Sequence, residues 1–408
     1  MKKYSLFLLL YFYIHAEING QAVPDPYSPT LDRTPSGHNI NERFKISNQY
    51  PTNPNINDTY VWDSINFKTD PKNYIDAVLV YFLEGNATHN DFIINPPNAK
   101  RQWYHAPAMN LDTETGREFF RGLTRERNSH PKELHNNQKD RRQNWAVGFY
   151  NPIGAYTIGE IWKNPTNSFY QKAAFKNGTV SAKLLFTSDP TNTITYLQNT
   201  LTWTANLHRT ATIERKRSNR IPQKVKLLQL DLAIRDDRSP SKWVFGTYIY
   251  YNENKQDTQD WYKHLLLVGV AWNDRADSQY INAEFLEKRK QFNNDITWRL
   301  GGYNNTLLNG PVDNHESSCI SCHRGASIIN KNTGIRYAMD FSLQLDYGID
   351  DYINFNDDAQ RNIKRKSFFV QATPKKSSLE DANLNKWTAL SLSGMSLFLL
   401  LAFFKKSK

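Results

Sequence analysis

The feature that most limits how this chain can fold is a series of short, strand-like segments between residues 145 and 300. Each is rich in β-branched and aromatic residues, and turn-forming Gly, Pro, Asn or Asp residues bound it. The segments are 145–150, 179–187, 224–234, 244–251 and 265–272. Repeated strands with turn-rich connections predict a mainly β body, in the form of a sandwich or an open barrel.

The segment 224–234 shows the strand period most clearly. Its apolar residues occupy alternate positions, at Leu228, Leu230, Leu232 and Ile234. Gln229 and Asp231 lie between them, so we expect one apolar face and one polar face. The alternating charges of residues 235–238 that follow predict a turn held by ion pairs, with a pocket-lining role as the alternative.

Two helices are predicted beside the strands, which makes the fold class α+β. Asp70 and Pro71 are a helix cap and a first-turn proline, and Gly85 can end the helix that they begin. Between them, apolar residues recur at helical spacing, at Ile75, Val78, Leu79 and Phe82. A second helix is expected over residues 342–353.

A pentapeptide near the C-terminal end, Cys319-Ile320-Ser321-Cys322-His323, contains the only two cysteines among the 408 residues. At the spacing C-x-x-C-H, two thiols can join the two vinyl groups of one porphyrin, and the histidine that follows can ligate its iron. We therefore predict a short haem-binding segment with one covalent haem c. Cys319 and Cys322 are its attachment sites and His323 is the proximal iron ligand.

In this motif the chain resembles the c-type cytochromes. As a whole it resembles large bacterial cytochrome c-domain proteins of uncharacterised function, in which a long N-terminal region precedes a single C-x-x-C-H. The resemblance implies export, because haem c is attached on the far side of the membrane. It is confined to the motif, since Asn304, Asn305 and Pro311 break the helix that a free-standing cytochrome c module has upstream.

Two other chemistries compete for the cysteines. A C-x-x-C pair can be a redox-active disulfide, but that motif is typical of a βαβ unit, and no such unit is predicted here. The pair can also be half of a zinc site, although the sequence has no second cysteine pair to complete one. For the sixth position on a haem iron, the candidates are Met339, His105 and Met109, and that position can also be vacant.

The N-terminus predicts a signal peptide over residues 1–22, with a buried first helix as the alternative. Lys2 and Lys3 precede an apolar run over residues 4–14, and cleavage is expected after Ala22 or, alternatively, after Ala16. The mainly β body then spans residues 23–300 and begins with an arm rich in Pro, Asn, Ser and Thr. The haem attachment segment spans residues 301–363.

The C-terminal end predicts a linker over 364–386, a transmembrane helix over 387–404 and a cytoplasmic basic tail over 405–408. The uncharged run of 387–404 is near the lower limit for a membrane span, and the lysines after it favour the cytoplasmic side. The alternative is a sorting signal that is removed when the protein is attached to another carrier. The body would then lie in the periplasm or on another extracytoplasmic face.

These features predict an exported, membrane-anchored monohaem cytochrome that transfers single electrons, and so an electron carrier more than a catalyst. The net charge of the full chain is +11. Without residues 1–22 and the three tail lysines, 46 basic and 39 acidic residues leave +7, which favours an acidic redox partner or a lipid surface and, without clustering, does not indicate nucleic acid. Two alternatives remain open. One is a haem oxidoreductase or gas sensor with an open sixth site, and the other is a haem-free exported module whose aromatic β region binds a glycan.

Overall fold

The computed structural model describes residues 20–22, 49–53, 59–94, 100–105, 120–163, 173–211, 220–293, 318–330 and 333–361. The strands in chain order are β1 (Gly20–Ala22), β2 (Gln49–Pro51), β3 (Thr124–Arg125), β4 (Asn144–Tyr150), β5 (Val180–Thr187), β6 (Thr202–His208), β7 (Arg220–Arg235), β8 (Trp243–Tyr250), β9 (Leu265–Ala271), β10 (Gln279–Ile281), β11 (Ser327–Ile329) and β12 (Arg336–Ala338). The α-helices are α1 (Pro71–Leu83), α2 (Pro152–Trp162), α3 (Ala283–Phe292), α4 (Cys319–Arg324) and α5 (Leu343–Arg361).

A sheet of eight antiparallel strands organises these elements. Its order is β10-β9-β8-β7-β5-β4-β3, and β6 pairs with the first half of the long strand β7. The pairs β1–β2 and β11–β12 each form a separate two-stranded sheet. The predicted α+β class with mainly β structure is confirmed, and the described strands do not close into a barrel.

All five strand-like segments of the sequence are strands of this sheet, namely β4, β5, β7, β8 and β9. The predicted alternation in β7 is present: Gln229 and Asp231 share the face opposite the leucines, and the Gln229 amide donates to the Asp231 carboxylate at 2.6 Å. Gln229 is nevertheless fully buried, whereas the side chain of Asp231 is 22% exposed. Asp231 also forms an ion pair with Lys183 of β5, at 2.9 Å.

The register of the strands defines the two faces of the sheet. Phe149, Ala182, Leu232 and Gly246 are successive Cα partners across β4, β5, β7 and β8. They therefore point to one side, where Phe149 contacts Phe82 of α1 and Gly246 lies against Ile75 of α1. We call this side the α1 face.

The opposite side of the sheet is covered near one end by residues 318–353, which we call the C-terminal segment. The next row of partners, which includes Tyr150 and Phe245, points to this side. The hydroxyl groups of Tyr150 and Ser342 lie 2.8 Å apart, and Gln344 of α5 packs over Gly148. We call this side the C-terminal face.

Both predicted helices are present. α1 ends just before Gly85, whose φ of +77° suits a residue without a side chain. The Asp70 side chain does not cap the α1 backbone, and it accepts a hydrogen bond from the amide of Asn73 instead. The expected helix over 342–353 is the first part of α5.

Most of the predicted signal peptide lies outside the described residues, but its end does not. Gly20–Ala22 forms β1, which pairs with Gln49–Pro51. Cleavage after Ala22 would remove this strand, whereas cleavage after Ala16 would keep it.

The predicted transmembrane helix requires a correction. In the part of the chain that the structure describes, no helix is long and apolar enough to cross a bilayer. Residues 387–404, on which the prediction fell, lie outside that part, as do the expected linker over 364–386 and the basic tail over 405–408. Membrane attachment is therefore not carried into the functional proposal below.

Candidate functional site

The cysteine pentapeptide forms the short helix α4, which begins at a complete capping box. The Ser318 hydroxyl accepts a hydrogen bond from the backbone N–H of Ser321 at 3.0 Å, and the Ser321 hydroxyl accepts one from the N–H of Ser318 at 2.7 Å. Two backbone donors that a helix start leaves unpaired are thereby satisfied. This explains how only six residues, Cys319–Arg324, form a defined helix.

Asp274, in the connection between β9 and β10, holds both ends of α4 against the sheet. One of its carboxylate oxygens accepts from the Ser318 hydroxyl at 3.1 Å, and the other lies 2.7 Å from the guanidinium of Arg324. Ile320 is fully buried beneath the helix. The apolar anchor and the two polar ones fix the orientation of α4 on the C-terminal face.

The three motif residues share one side of this helix. Cys319 lies one helical turn from both Cys322 and His323, which are three and four positions further along the chain. All three are partly buried. Burial raises the pKa of Tyr347 in α5 to about 12, and the nearby Cys322 adds to the rise.

The imidazole of His323 is held by contacts on the C-terminal face. Its Nδ1 lies 2.8 Å from the backbone carbonyl oxygen of Phe341, and its ring centroid lies 5.1 Å from that of Phe245. A carbonyl oxygen can only accept, so Nδ1 carries the hydrogen, and the neutral ring has its lone pair on Nε2. In histidine ligands of metals, the N–H of the second ring nitrogen commonly donates a hydrogen bond to a backbone carbonyl in this way.

This set of donors fits a covalent haem. Two thiols one helical turn apart can reach neighbouring positions on one porphyrin, and an imidazole protonated at Nδ1 is the form that can ligate iron through Nε2. Among the described residues, no group of three His, Cys, Asp or Glu side chains converges as a metal site would require. Cys319, Cys322 and His323 remain the residues that would hold the cofactor.

His105 does not lie where a sixth ligand would have to be. Its ring is 4.9 Å from that of Phe149, which points to the α1 face, whereas the ring of His323 contacts Phe245 on the C-terminal face. The sheet therefore separates the two imidazoles. The backbone carbonyl of His105 accepts a hydrogen bond from the hydroxyl of Tyr50, which ties it to β2.

Met339 is fully buried and belongs to the loop that holds the Nδ1 side of His323. Its N–H donates to the carbonyl of Ala326, and its carbonyl accepts from the N–H of Ser342. Met109, the other methionine candidate, lies outside the described residues.

Searches with the whole chain found no matching family model, no matching curated protein and no matching solved structure. The functional argument therefore depends on the geometry of this site alone.

The residues that support His323 were not predicted from the sequence. Phe245, Phe341 and Asp274 lie 78, 18 and 49 positions from it, by their numbers in the sequence, and none belongs to a motif. Of the three, only Phe245 lies in a segment that the sequence predicts as a strand.

Proposed function

We propose that this chain is an exported c-type cytochrome that carries one covalent haem and transfers single electrons. The observation that carries the proposal is the hydrogen bond from His323 Nδ1 to the Phe341 carbonyl, on the same helical turn as the two cysteines. It selects the ring form that an iron ligand requires. Export follows from the charged and apolar N-terminal run together with this chemistry.

Each of these residues has a definite task in the proposal. Cys319 and Cys322 would hold the haem through thioether bonds, and His323 would ligate its iron through Nε2. When bound, the haem supplies a centre that exchanges one electron between its ferrous and ferric forms. The ring of Phe245 packs against the His323 ring, and the ring of Phe341 lies 6.4 Å from that of Phe245, so this side of the imidazole has an apolar lining.

The test is expression in a host that matures c-type cytochromes, followed by a reduced pyridine-haem spectrum of the purified protein. We expect the wild-type protein to show covalent haem, and the Cys319→Ser and Cys322→Ser variants each to lose a thioether. Ile329→Ala is the control, since it changes an exposed residue six positions after the motif and keeps C-x-x-C-H and the helix cap. A colourless wild-type protein beside a coloured reference cytochrome from the same host would contradict the proposal.

One observation favours a second candidate function, a haem enzyme or gas sensor with an open sixth site. His105, one of the three candidate sixth ligands, lies on the α1 face, across the sheet from His323. Carbon monoxide added to the reduced protein separates the two functions. Rapid binding with a shifted Soret band supports the open site, whereas no binding supports an electron carrier whose sixth ligand comes from another part of the chain.

A further inference from the structure

The loop between β12 and α5 has an unusual backbone. Asp340 and Phe341 are consecutive residues with positive φ, at 42° and 67°. Side chains other than glycine rarely adopt this conformation, and a bulky residue such as phenylalanine does so least readily. Two such residues in a row persist only where surrounding contacts impose the conformation. The loop is also the one that offers its carbonyl to His323.

The side chain of Asp340 supplies those contacts. One carboxylate oxygen accepts from the backbone N–H of Phe175 at 2.6 Å. The other accepts from the indole N–H of Trp243 at 3.1 Å and from the guanidinium of Arg235 at 3.3 Å. The three donors come from β7, β8 and the segment before β5, so one carboxylate ties the loop to three places on the sheet.

The ring of Phe341 completes the arrangement. It lies 6.5 Å from the ring of Trp243 and 6.4 Å from that of Phe245, measured between centroids. With its side chain packed there, its carbonyl oxygen faces Nδ1 of His323. A relaxed loop would turn this peptide group, and the acceptor would leave the imidazole.

We infer that Asp340 is the positioning residue of the site. It holds the loop in its left-handed conformation, so that the Phe341 carbonyl fixes the tautomer and orientation of the His323 ring. A hydrogen bond at Nδ1 also makes Nε2 a stronger electron donor, which favours the ferric state of a bound iron. The inference depends on the proposed function only for this last effect.

The first test uses haem-free protein and the ring nitrogen shifts of ¹⁵N-labelled histidine, with the His323 signal assigned through His323→Gln. In wild-type protein we expect the form protonated at Nδ1. Asp340→Asn tolerates a positive φ but replaces an acceptor oxygen with a donor, so we expect a clear shift towards the form protonated at Nε2. Trp243→Phe removes one donor to Asp340 and should give a smaller shift in the same direction.

Asp237→Asn is the matched control. Asp237 also pairs with Arg235, at 3.3 Å, but its side chain is exposed. We expect its His323 signal to match wild type. If Asp340→Asn and Trp243→Phe both fold and both leave the His323 shifts unchanged, the inference is overturned.

The second test measures the midpoint potential of the haem-loaded protein. Asp340→Asn should raise it relative to both wild type and Asp237→Asn, because a weaker hydrogen bond at Nδ1 stabilises the ferric iron less. An unchanged potential would contradict the electronic part of the inference. If wild-type protein takes up no haem, the proposed function fails, while the nitrogen shifts still decide the role of Asp340.

Discussion

Asp236 connects parts of the chain that are far apart in the sequence. Its carboxylate accepts from the hydroxyl of Tyr74 in α1 at 2.9 Å and pairs with Arg238 at 2.6 Å. Arg238 in turn donates to the backbone carbonyls of Asp63 and Ile65. The ion-paired turn predicted for residues 235–238 is confirmed, and it also joins the sheet to α1.

Asp236→Asn should lower the free energy of unfolding by about 1–3 kcal/mol, because Tyr74 and Arg238 lose a charged acceptor. Burial raises the pKa of Asp236, but hydrogen bonds from Arg238 outweigh it, and the net pKa is lowered. The stabilisation is therefore present above the unfolded pKa of about 3.9 and is lost as pH falls through the folded pKa. Urea denaturation at pH 7 and at acid pH measures both effects.

The exposed neighbouring residue Asp237 provides the control for the denaturation of Asp236→Asn. Asp237→Asn should change stability by less than about 0.5 kcal/mol. An equal loss in both variants, or a loss for Asp236→Asn that persists in acid, would contradict the role given to Asp236.

For Asp346, in the C-terminal segment, we expect the opposite effect of pH on the free energy of unfolding. Burial raises its pKa to about 6, against a hydrogen bond from the Ser327 N–H that lowers it. Between an unfolded pKa of about 3.9 and the folded value, the folded state binds more protons, so this residue reduces stability as pH rises.

Asp346→Asn should remove that penalty and stabilise the protein at pH 7 by on the order of 2 kcal/mol, with little gain near pH 4. Thermal unfolding at the two pH values provides the measurement. The exposed Asp277→Asn is the control. A gain of the same size at both pH values would show that the effect does not come from titration of Asp346.

At the level of elements, local patterns predicted the strands well. The alternation in β7 and the turn residues at each strand end are local signals, and they located five strands correctly. β6 has the same signal, since Trp203, Ala205 and Leu207 are buried at alternate positions, and it could have been predicted too.

α2 shows where local patterns fail. Its sequence contains Gly154, Gly159 and several β-branched residues, all of which weaken helix propensity. Tertiary packing explains why glycine occupies position 159 of this helix, because a Cβ there would come within 2.6 Å of Tyr50 Cβ. The one local signal was at the start, where Asn151 caps the helix and Pro152 occupies its first turn.

In the candidate site, too, local sequence patterns indicate some residues and miss others. The spacing of the motif indicates Cys319, Cys322 and His323 without any structure. The residues that hold His323 could not be predicted, since the positive φ at Phe341 and the three donors to Asp340 result from long-range packing. A carboxylate next to a phenylalanine is not a sequence signal for anything.

The packing of α1 on the sheet gives a prediction at this scale. A Cβ on Gly246 would lie 2.4 Å from Ile75 Cγ1 and 2.5 Å from its Cδ1. Gly246→Ala should therefore destabilise the protein by about 1–3 kcal/mol through overpacking. Ile75→Val in the same chain should recover part of that loss, because it removes the Cδ1 methyl group.

A double-mutant cycle by chemical denaturation measures this coupling. Gly148→Ala is the control on the other face, where the nearest atom is the mobile end of Gln344. Additive effects of Gly246→Ala and Ile75→Val would contradict the close contact between α1 and β8.

At the scale of the whole molecule, the eight-stranded sheet divides the described part of the protein into two environments. The α1 face carries an aromatic core that includes His105, and the C-terminal face carries α4 with its cysteines and His323. The sheet is a rigid support for one side of the proposed haem site. The mainly β body therefore has a structural role in the proposal, which is to present α4 and the loop at Asp340 in fixed positions.

The central claim is that Cys319 and Cys322 bind one haem covalently, and the most direct measurement is the mass of the proteolytic fragment that contains residues 319–323. The protein should come from a maturation-competent host and be extracted with acidified acetone, which removes haem that is not covalently bound. We predict a fragment heavier by one haem. A fragment with the unmodified mass, or one lighter by the two hydrogens of a disulfide, would contradict the account.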